Sequence, residues 1–305
     1  MHTAYTYDIL TQEVERLKKE YPNIITYRSI GKSLCGRTLH WLTIGTGSIR
    51  VFYNGAHHGM EWLTAALLMR FAEDCAVALQ QGKKFGEVNL YELFDDVTLE
   101  IVPMVNPDGV ELAARGLSEI NPNYQNLLAM SGGDFTEWQA NNRGVDLNHN
   151  YNAMWNESKA AEKENGILGA GPTRYSGASP ESEPESRAVA DFTRRQQFDL
   201  VIAFHSQGQV IYWDFNGEIP PHGREIGEYF ATVSPYVLDQ TEGIASYGGY
   251  KDWFIHTFRK PGYTVEIGLG KNPLPMEMLP QIYKDTKGIL LGGLTETVKR
   301  LTAQK

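Results

Sequence analysis

A histidine and a glutamate three residues apart, His58 and Glu61, stand in the stretch Asn54-Gly55-Ala56-His57-His58-Gly59-Met60-Glu61. An imidazole nitrogen and a carboxylate oxygen are two of the ligand types that zinc accepts. A catalytic zinc takes one more ligand from the protein and keeps a position open for water. The pair lies between the apolar run at residues 51–53 and a helical pattern over residues 62–79. Three-residue spacing at the start of a helix puts both side chains on one side. Taken alone, the pair is weak evidence and reads more readily as a surface histidine and a first-turn glutamate favoured by the helix dipole. The rest of the chain has to decide.

Three further places carry chemistry. His205 follows the continuous apolar run Leu200-Val201-Ile202-Ala203-Phe204, the pattern of a strand buried on both faces. Ligand sites of open α/β sheets gather beyond the carboxyl ends of strands, which makes His205 the candidate third ligand over a strand-end histidine bonded to backbone. Glu266 sits in Tyr263-Thr264-Val265-Glu266-Ile267, on the strand face opposite Tyr263, Val265 and Ile267. On an edge strand it would be solvated; on a central one it needs a cation or metal nearby. A carboxylate beside a zinc-activated water is the base that hydrolysis requires. The segment Asn142-Arg143-Gly144-Val145-Asp146-Leu147-Asn148-His149-Asn150 is either a solvated turn or a functional one. In the second case Arg143 polarises a carbonyl and Asp146 orients a ligating histidine.

Strands interleaved with helices would position these groups. Helical patterns are expected over residues 7–21, 62–79, 182–197, 224–233, 251–258 and 279–301. Residues 24–54 alternate like strands broken at Gly31 and at Cys35-Gly36, and residues 99–105 form a strand ending in a turn, Asn106-Pro107-Asp108-Gly109. Ser182-Glu183-Pro184-Glu185 fits a capping box. Residues 117–182 are polar and aperiodic, and so long an irregular stretch tends to be functional. This order argues for an α/β fold with a mostly parallel or mixed sheet and helices on both faces. No linker or repeat divides the 305 residues, so a single domain over residues 1–305 is expected.

A formal net charge of −9 gives no footprint for nucleic acid. No apolar run has the length of a membrane span, and the polar N-terminal stretch lacks the core of a signal peptide. Two cysteines, Cys35 and Cys75, are too few for a disulfide scaffold, and a cytoplasmic location is expected. Gly31-Lys32-Ser33 lacks the earlier glycine of a phosphate loop, and neither His-Glu-x-x-His nor Gly-x-Ser-x-Gly occurs.

In order along the chain, His58-x-x-Glu61, Gly144-Val145-Asp146-Leu147-Asn148-x-Asn150, Arg174-Tyr175-Ser176-Gly177, Ser182-Glu183-Pro184-Glu185, Phe204-His205-Ser206 and Val265-Glu266 resemble the zinc carboxypeptidases of the carboxypeptidase A type. The resemblance runs from the first helix onward. It implies an eight-stranded mixed sheet between helices, one zinc on His58, Glu61 and His205, Glu266 as general base and Arg143 on the scissile carbonyl. His58-Gly59-Met60-Glu61-Trp62 and Gly270-Lys271-Asn272-Pro273-Leu274-Pro275 look most like bacterial γ-D-glutamyl-meso-diaminopimelate peptidases, which implies a peptidoglycan stem peptide as substrate.

Two departures bear on specificity. Asn148-His149 stands where enzymes that release a single terminal residue have Asn-Arg, whose arginine holds the terminal carboxylate. The substrate-capping tyrosine of the pancreatic enzymes falls on Ile244, with Tyr247 or Tyr250 within the same loop. The resemblance also puts Lys251 where the family selects the leaving side chain; a lysine suits a side chain ending in a carboxylate, while the plain reading is a solvated lysine. Two other readings stand beside the γ-D-glutamyl one: an ordinary metallocarboxypeptidase acting on L-peptides, and a binding protein on a dead peptidase. Retention of all three ligands and the base argues against the last.

Overall fold

The computed structural model describes residues 4–241 and 243–302, without the side chains of residues 244 and 246, so residues 1–3 and the side chain of Ile244 lie outside the described residues. Helix α1 (Tyr7–Glu20) buries Leu10, Val14 and Leu17 and is followed by β1 (Ile25–Lys32), β2 (Thr38–Ile44) and β3 (Ile49–Gly55). Helices α2 (Leu63–Gln80) and α3 (Leu90–Asp96) lead to β4 (Val97–Val102). Then come α4 (Pro107–Arg115), α5 (Tyr124–Ser131), α6 (Trp155–Glu164), α7 (Pro184–Gln196) and β5 (Leu200–His205). The remainder is β6 (Val210–Tyr212), α8 (Gly223–Thr232), β7 (Val237–Asp239), α9 (Tyr250–Phe258), β8 (Gly262–Glu266) and α10 (Leu279–Thr302).

The strands form one eight-stranded mixed sheet in the order β1-β2-β4-β3-β5-β8-β6-β7. Its centre, β4-β3-β5-β8, is parallel, and antiparallel pairs flank it on both sides. Alternation divides the core between the two faces. Val51, Tyr53, Ile202, Phe204, Tyr263 and Val265 pack on the side of α1, α2 and α10. Phe52, Val201 and Ala203 pack with Phe192 of α7 and Trp253 of α9 on the other. On the first face α10 comes so close that a Cβ at Gly293 would lie 2.2 Å from the Tyr53 hydroxyl, which donates to the Leu290 carbonyl at 2.7 Å.

Four local expectations are corrected. Asn106-Pro107-Asp108-Gly109 is not a turn but the start of α4: Asn106 Oδ1 accepts from Gly109 N at 2.9 Å, and Pro107 takes the first helical position, where its missing N–H costs nothing. The capping box does not form. Glu183 is the N-cap of α7 without a side-chain bond; Ser182 Oγ donates to Glu183, and Glu185 accepts from Leu34 N. Gly31 does not break β1, because a shift of register between Ser29 and Gly31 absorbs it. Within residues 117–182 lie α5 and α6, too short and too exposed to impose a period.

His40 of β2 joins three elements. Its Nδ1 meets the Tyr27 hydroxyl at 2.7 Å, its Nε2 meets Thr11 Oγ1 at 3.2 Å, and its ring stacks on Tyr7. Burial pushes its pKa down to about 4, against a small pull from Glu15. The unfolded chain takes a proton near 6.5, so this contribution is complete above that pH and is lost as pH falls toward 4. His40→Gln should therefore lose less stability than the wild type between pH 7.5 and 4.5, by on the order of 1–2 kcal/mol in denaturant unfolding. Equal losses would show that His40 does not titrate with folding.

Candidate metal centre

The strand register assembles the centre. Asn54 and Gly55 of β3 lie beside Ala203 and Phe204 of β5, and His205 lies opposite Glu266 of β8. The chain passes from β3 to β4 on one side and later to β5 on the other, so the segment after β3 leaves the sheet where the order reverses. His58 and Glu61 sit in a turn before α2, closed by Glu61 N donating to His58 O at 3.1 Å, and not on the helix itself. Thr64 Oγ1 fixes that turn, accepting from Ala56 N and donating to the Glu61 carbonyl.

Four ligand atoms converge there. His58 Nδ1 is 2.8 Å from Glu61 Oε1, His205 Nδ1 is 3.0 Å from Glu61 Oε2, and the two nitrogens are 3.3 Å apart. Two facing imidazole nitrogens and one carboxylate, with ligand atoms all within 4.8 Å, are a donor set that fits a divalent cation. The other nitrogen of His58 lies 3.2 Å from Asp146 Oδ1, the carboxylate–histidine pairing that fixes a ligand's tautomer. Burial works against charge on His58, but Glu61 and Asp146 hold its pKa well above the usual histidine value. Burial likewise opposes charge on Glu61, yet His58 and His205 bring its pKa down to about 2.

Glu266 differs from every other carboxylate of the sheet. It makes no hydrogen bond or ion pair among the described residues, and it lines a cavity of about 530 Å³ with His58, Asn148, His149 and Lys251. Burial and then the charge of Glu61 hold its pKa well above the glutamate range, with His58 opposing. Glu100, the buried carboxylate of β4, is instead satisfied by Arg50, Trp41 and Thr43. A second cavity, of about 410 Å³, shares His58 and His149 and is walled by Met60, Gln139, Asp146, Thr173 and Arg174.

The remaining expected residues divide. Asn148 lines the first cavity while its Oδ1 accepts from Tyr250 N at the start of α9. His149 lies between the cavities, its Nδ1–H donating to Tyr247 O at 3.1 Å, so Tyr247 enters through its carbonyl. Tyr250 cannot reach substrate: it is buried, its hydroxyl 2.9 Å from Thr193 Oγ1. Lys251 is not solvated. Its side chain is 2 % exposed, and its ammonium pairs with Asp252 and donates to the Asp214 carbonyl at 2.5 Å. Arg143 is not brought to either cavity; it is exposed, with Nη1 3.3 Å from Glu183.

Sequence reading gave Asn106 a place after a strand but no role: its Nδ2 lies within hydrogen-bond distance of the carbonyls of His57, Gln139 and Ala140 and ties the turn of His58 and Glu61 to the wall of the second cavity. An Asn-Pro pair directly after a strand was the available signal. Arg174, whose motif was noted but not its role, projects from a backbone at φ +65 held by its own N–H to Asp146 Oδ2 at 2.9 Å.

A central parallel sheet with two imidazoles and a carboxylate gathered beyond its strand ends defines a metallohydrolase of carboxypeptidase architecture. The chain belongs to the zinc carboxypeptidase family, whose pattern matches residues 10–288, and it is a zinc metallopeptidase. It is 38% identical over 292 residues, 95% of this chain and 72% of the relative, to γ-D-glutamyl-L-diamino acid endopeptidase 1 of Lysinibacillus sphaericus. The fold is shared with bovine thrombin-activatable fibrinolysis inhibitor (20% identity, TM-score 0.71, 97% and 98% of the two chains). It is shared too with Helicoverpa armigera carboxypeptidase A (22%, TM-score 0.72, 97% and 74%). No helix among the described residues is long and apolar enough to cross a membrane.

Gly59 permits the ligand turn to lie against its support. Gly59 N and Met60 N each donate at 3.0 Å to the backbone at Gln139 and Trp138, and a Cβ on Gly59 would fall 2.4 Å from Gly109 O and 2.8 Å from Trp138 O. Gly59→Ala should displace His58 and weaken zinc roughly 10- to 100-fold in a chelator competition. Unchanged affinity would mean that the turn adjusts freely.

Proposed function

We propose that this metallopeptidase hydrolyses the γ-D-glutamyl-meso-diaminopimelate bond of peptidoglycan stem peptides, with one zinc held by His58, Glu61 and His205 and residues 1–305 forming one catalytic domain. The observation that carries this reading is the cavity in which the unpartnered Glu266 faces the ligand cluster and Lys251 forms part of the wall. The name of the Lysinibacillus relative supports the substrate class. Two free cysteines agree with action in a reducing compartment, the cytoplasm.

Bound zinc supplies a Lewis acid that polarises a carbonyl and lowers the pKa of water. Glu266 removes a proton from the attacking water and passes it to the leaving amine as the C–N bond breaks; with no side-chain hydrogen bond among the described residues, its carboxylate is free to accept that proton. Asp146 holds His58 in one tautomer. Arg143 reaches the scissile carbonyl only by leaving Glu183.

Asn148 and His149 border the leaving side. The Tyr247 carbonyl takes the Nδ1 proton of His149, which leaves Nε2 toward the leaving side. A single ring nitrogen lacks the bidentate fork by which an arginine holds a terminal carboxylate, which suits diaminopimelate extended by D-Ala. The zinc-loaded protein should therefore cleave both L-Ala-γ-D-Glu-meso-diaminopimelate and its D-Ala-extended tetrapeptide, with products identified by mass. Glu266→Gln should retain zinc and lose about 100- to 10,000-fold in rate. Hydrolysis of L-peptides with stem peptides left intact would replace this reading with an ordinary carboxypeptidase; full activity of Glu266→Gln would remove the base.

Lys251 would meet the distal carboxylate of diaminopimelate, since two acceptors leave one of its three N–H groups unused. Lys251→Met preserves bulk. It should lower the ratio of kcat/KM for the diaminopimelate substrate over its L-lysine counterpart roughly 10- to 100-fold, the worth of a hydrogen bond to a charged group. An unchanged ratio in a variant that still binds zinc would leave Lys251 as the partner of Asp252 alone.

A further inference from the structure

Resting on that reading, we infer that Arg174 binds the free α-carboxylate of the γ-D-glutamyl residue and so selects γ-linked over ordinary peptide bonds. The two cavities meet at His58 and His149, one on the Glu266 and Lys251 side and the other on the Arg174 side. With the leaving amine in the first, the acyl half of the substrate lies in the second. A γ-D-glutamyl acyl group carries an anion that an α-linked residue lacks, a carboxylate four bonds from the scissile carbonyl carbon.

The second cavity is fitted for such an anion. Arg174 is the one arginine or lysine on its wall among the described residues, and its guanidinium makes no hydrogen bond or ion pair there. The one other charged residue outside the ligand turn and Asp146, Glu137, is exposed and pairs with Lys271 at 2.6 Å. The backbone that presents Arg174 is fastened on both sides to the residue that orients His58. Its N–H and the Thr173 hydroxyl meet Asp146 Oδ2 at 2.9 and 3.4 Å, and Asp146 N donates to Tyr175 O at 2.8 Å. A left-handed φ of +65 at an arginine is held by these contacts. The arginine thus has a fixed root and an uncommitted planar fork, which matches a carboxylate with two parallel hydrogen bonds.

The test compares two stem tripeptides that differ only at the glutamyl α-position, free acid and α-amide. The zinc-loaded wild type should prefer the acid about tenfold or more in kcat/KM, mainly through KM. Arg174→Ala should lose that factor on the acid and leave the amide nearly unchanged; Arg174→Lys, keeping the charge without the fork, should fall between. Equal cleavage of both substrates by the wild type, or an equal loss on both in Arg174→Ala with zinc content and melting temperature intact, would overturn the assignment while the peptidase reading stands. Cleavage of neither substrate by the wild type would overturn both.

Discussion

The carboxylate of Asp146 holds together the parts on which the site depends. It is buried and accepts from the backbone of Asn148 and Arg174 while standing against His58. Burial alone would raise its pKa, yet His58 and His149 and the Arg174 N–H keep it well below the usual aspartate value. One charge therefore fixes the ring of His58, the short turn that carries Asn148 and His149, and the segment that carries Arg174. Leaving such a group unpaired in the interior would cost several kcal/mol, roughly the margin by which a domain is stable. Folding of the polar middle of the chain and assembly of the centre are then the same event.

The legible part of the site consisted of groups displayed by strand ends. His205 and Glu266 stood out because an apolar run or a period-two alternation ended in a group that a core does not tolerate alone, and the structure sets both at the cluster of His58 and Glu61 or the cavity beside it. The short strands β6 and β7 gave no such signal, being three residues each. The place of Arg143 was not legible because its surroundings are set by a side chain: Asn141 Oδ1 accepts from both Arg143 N and Val145 N, and the arginine beyond that turn lies beside Glu183. Lys251 was ambiguous for the opposite reason, since its carbonyl acceptor lies 37 residues away at Asp214.

Glu100 and Glu266 show how structure separates what sequence cannot. Each is a glutamate in a largely apolar strand of one sheet, Glu100 in β4 and Glu266 in β8, with β3 and β5 between them. Arg50, Trp41 and Thr43 surround Glu100, and a carboxylate so satisfied is a structural element. The carboxylate of Glu266 faces a cavity and has no bonding partner among the described residues, a placement that costs stability and is common for groups that exchange protons.

The contact between Glu137 and Lys271 has a mechanical meaning. It joins the wall of the second cavity to the loop after β8 through side chains 61% and 84% exposed. Water competes for both ends of such a pair, and it contributes little to stability. The rim is consequently a loose seam beside a rigid floor of strand ends. A chain lying over the second cavity would meet little resistance from that seam, while the turn before α2 and the end of β5 hold His58, Glu61 and His205.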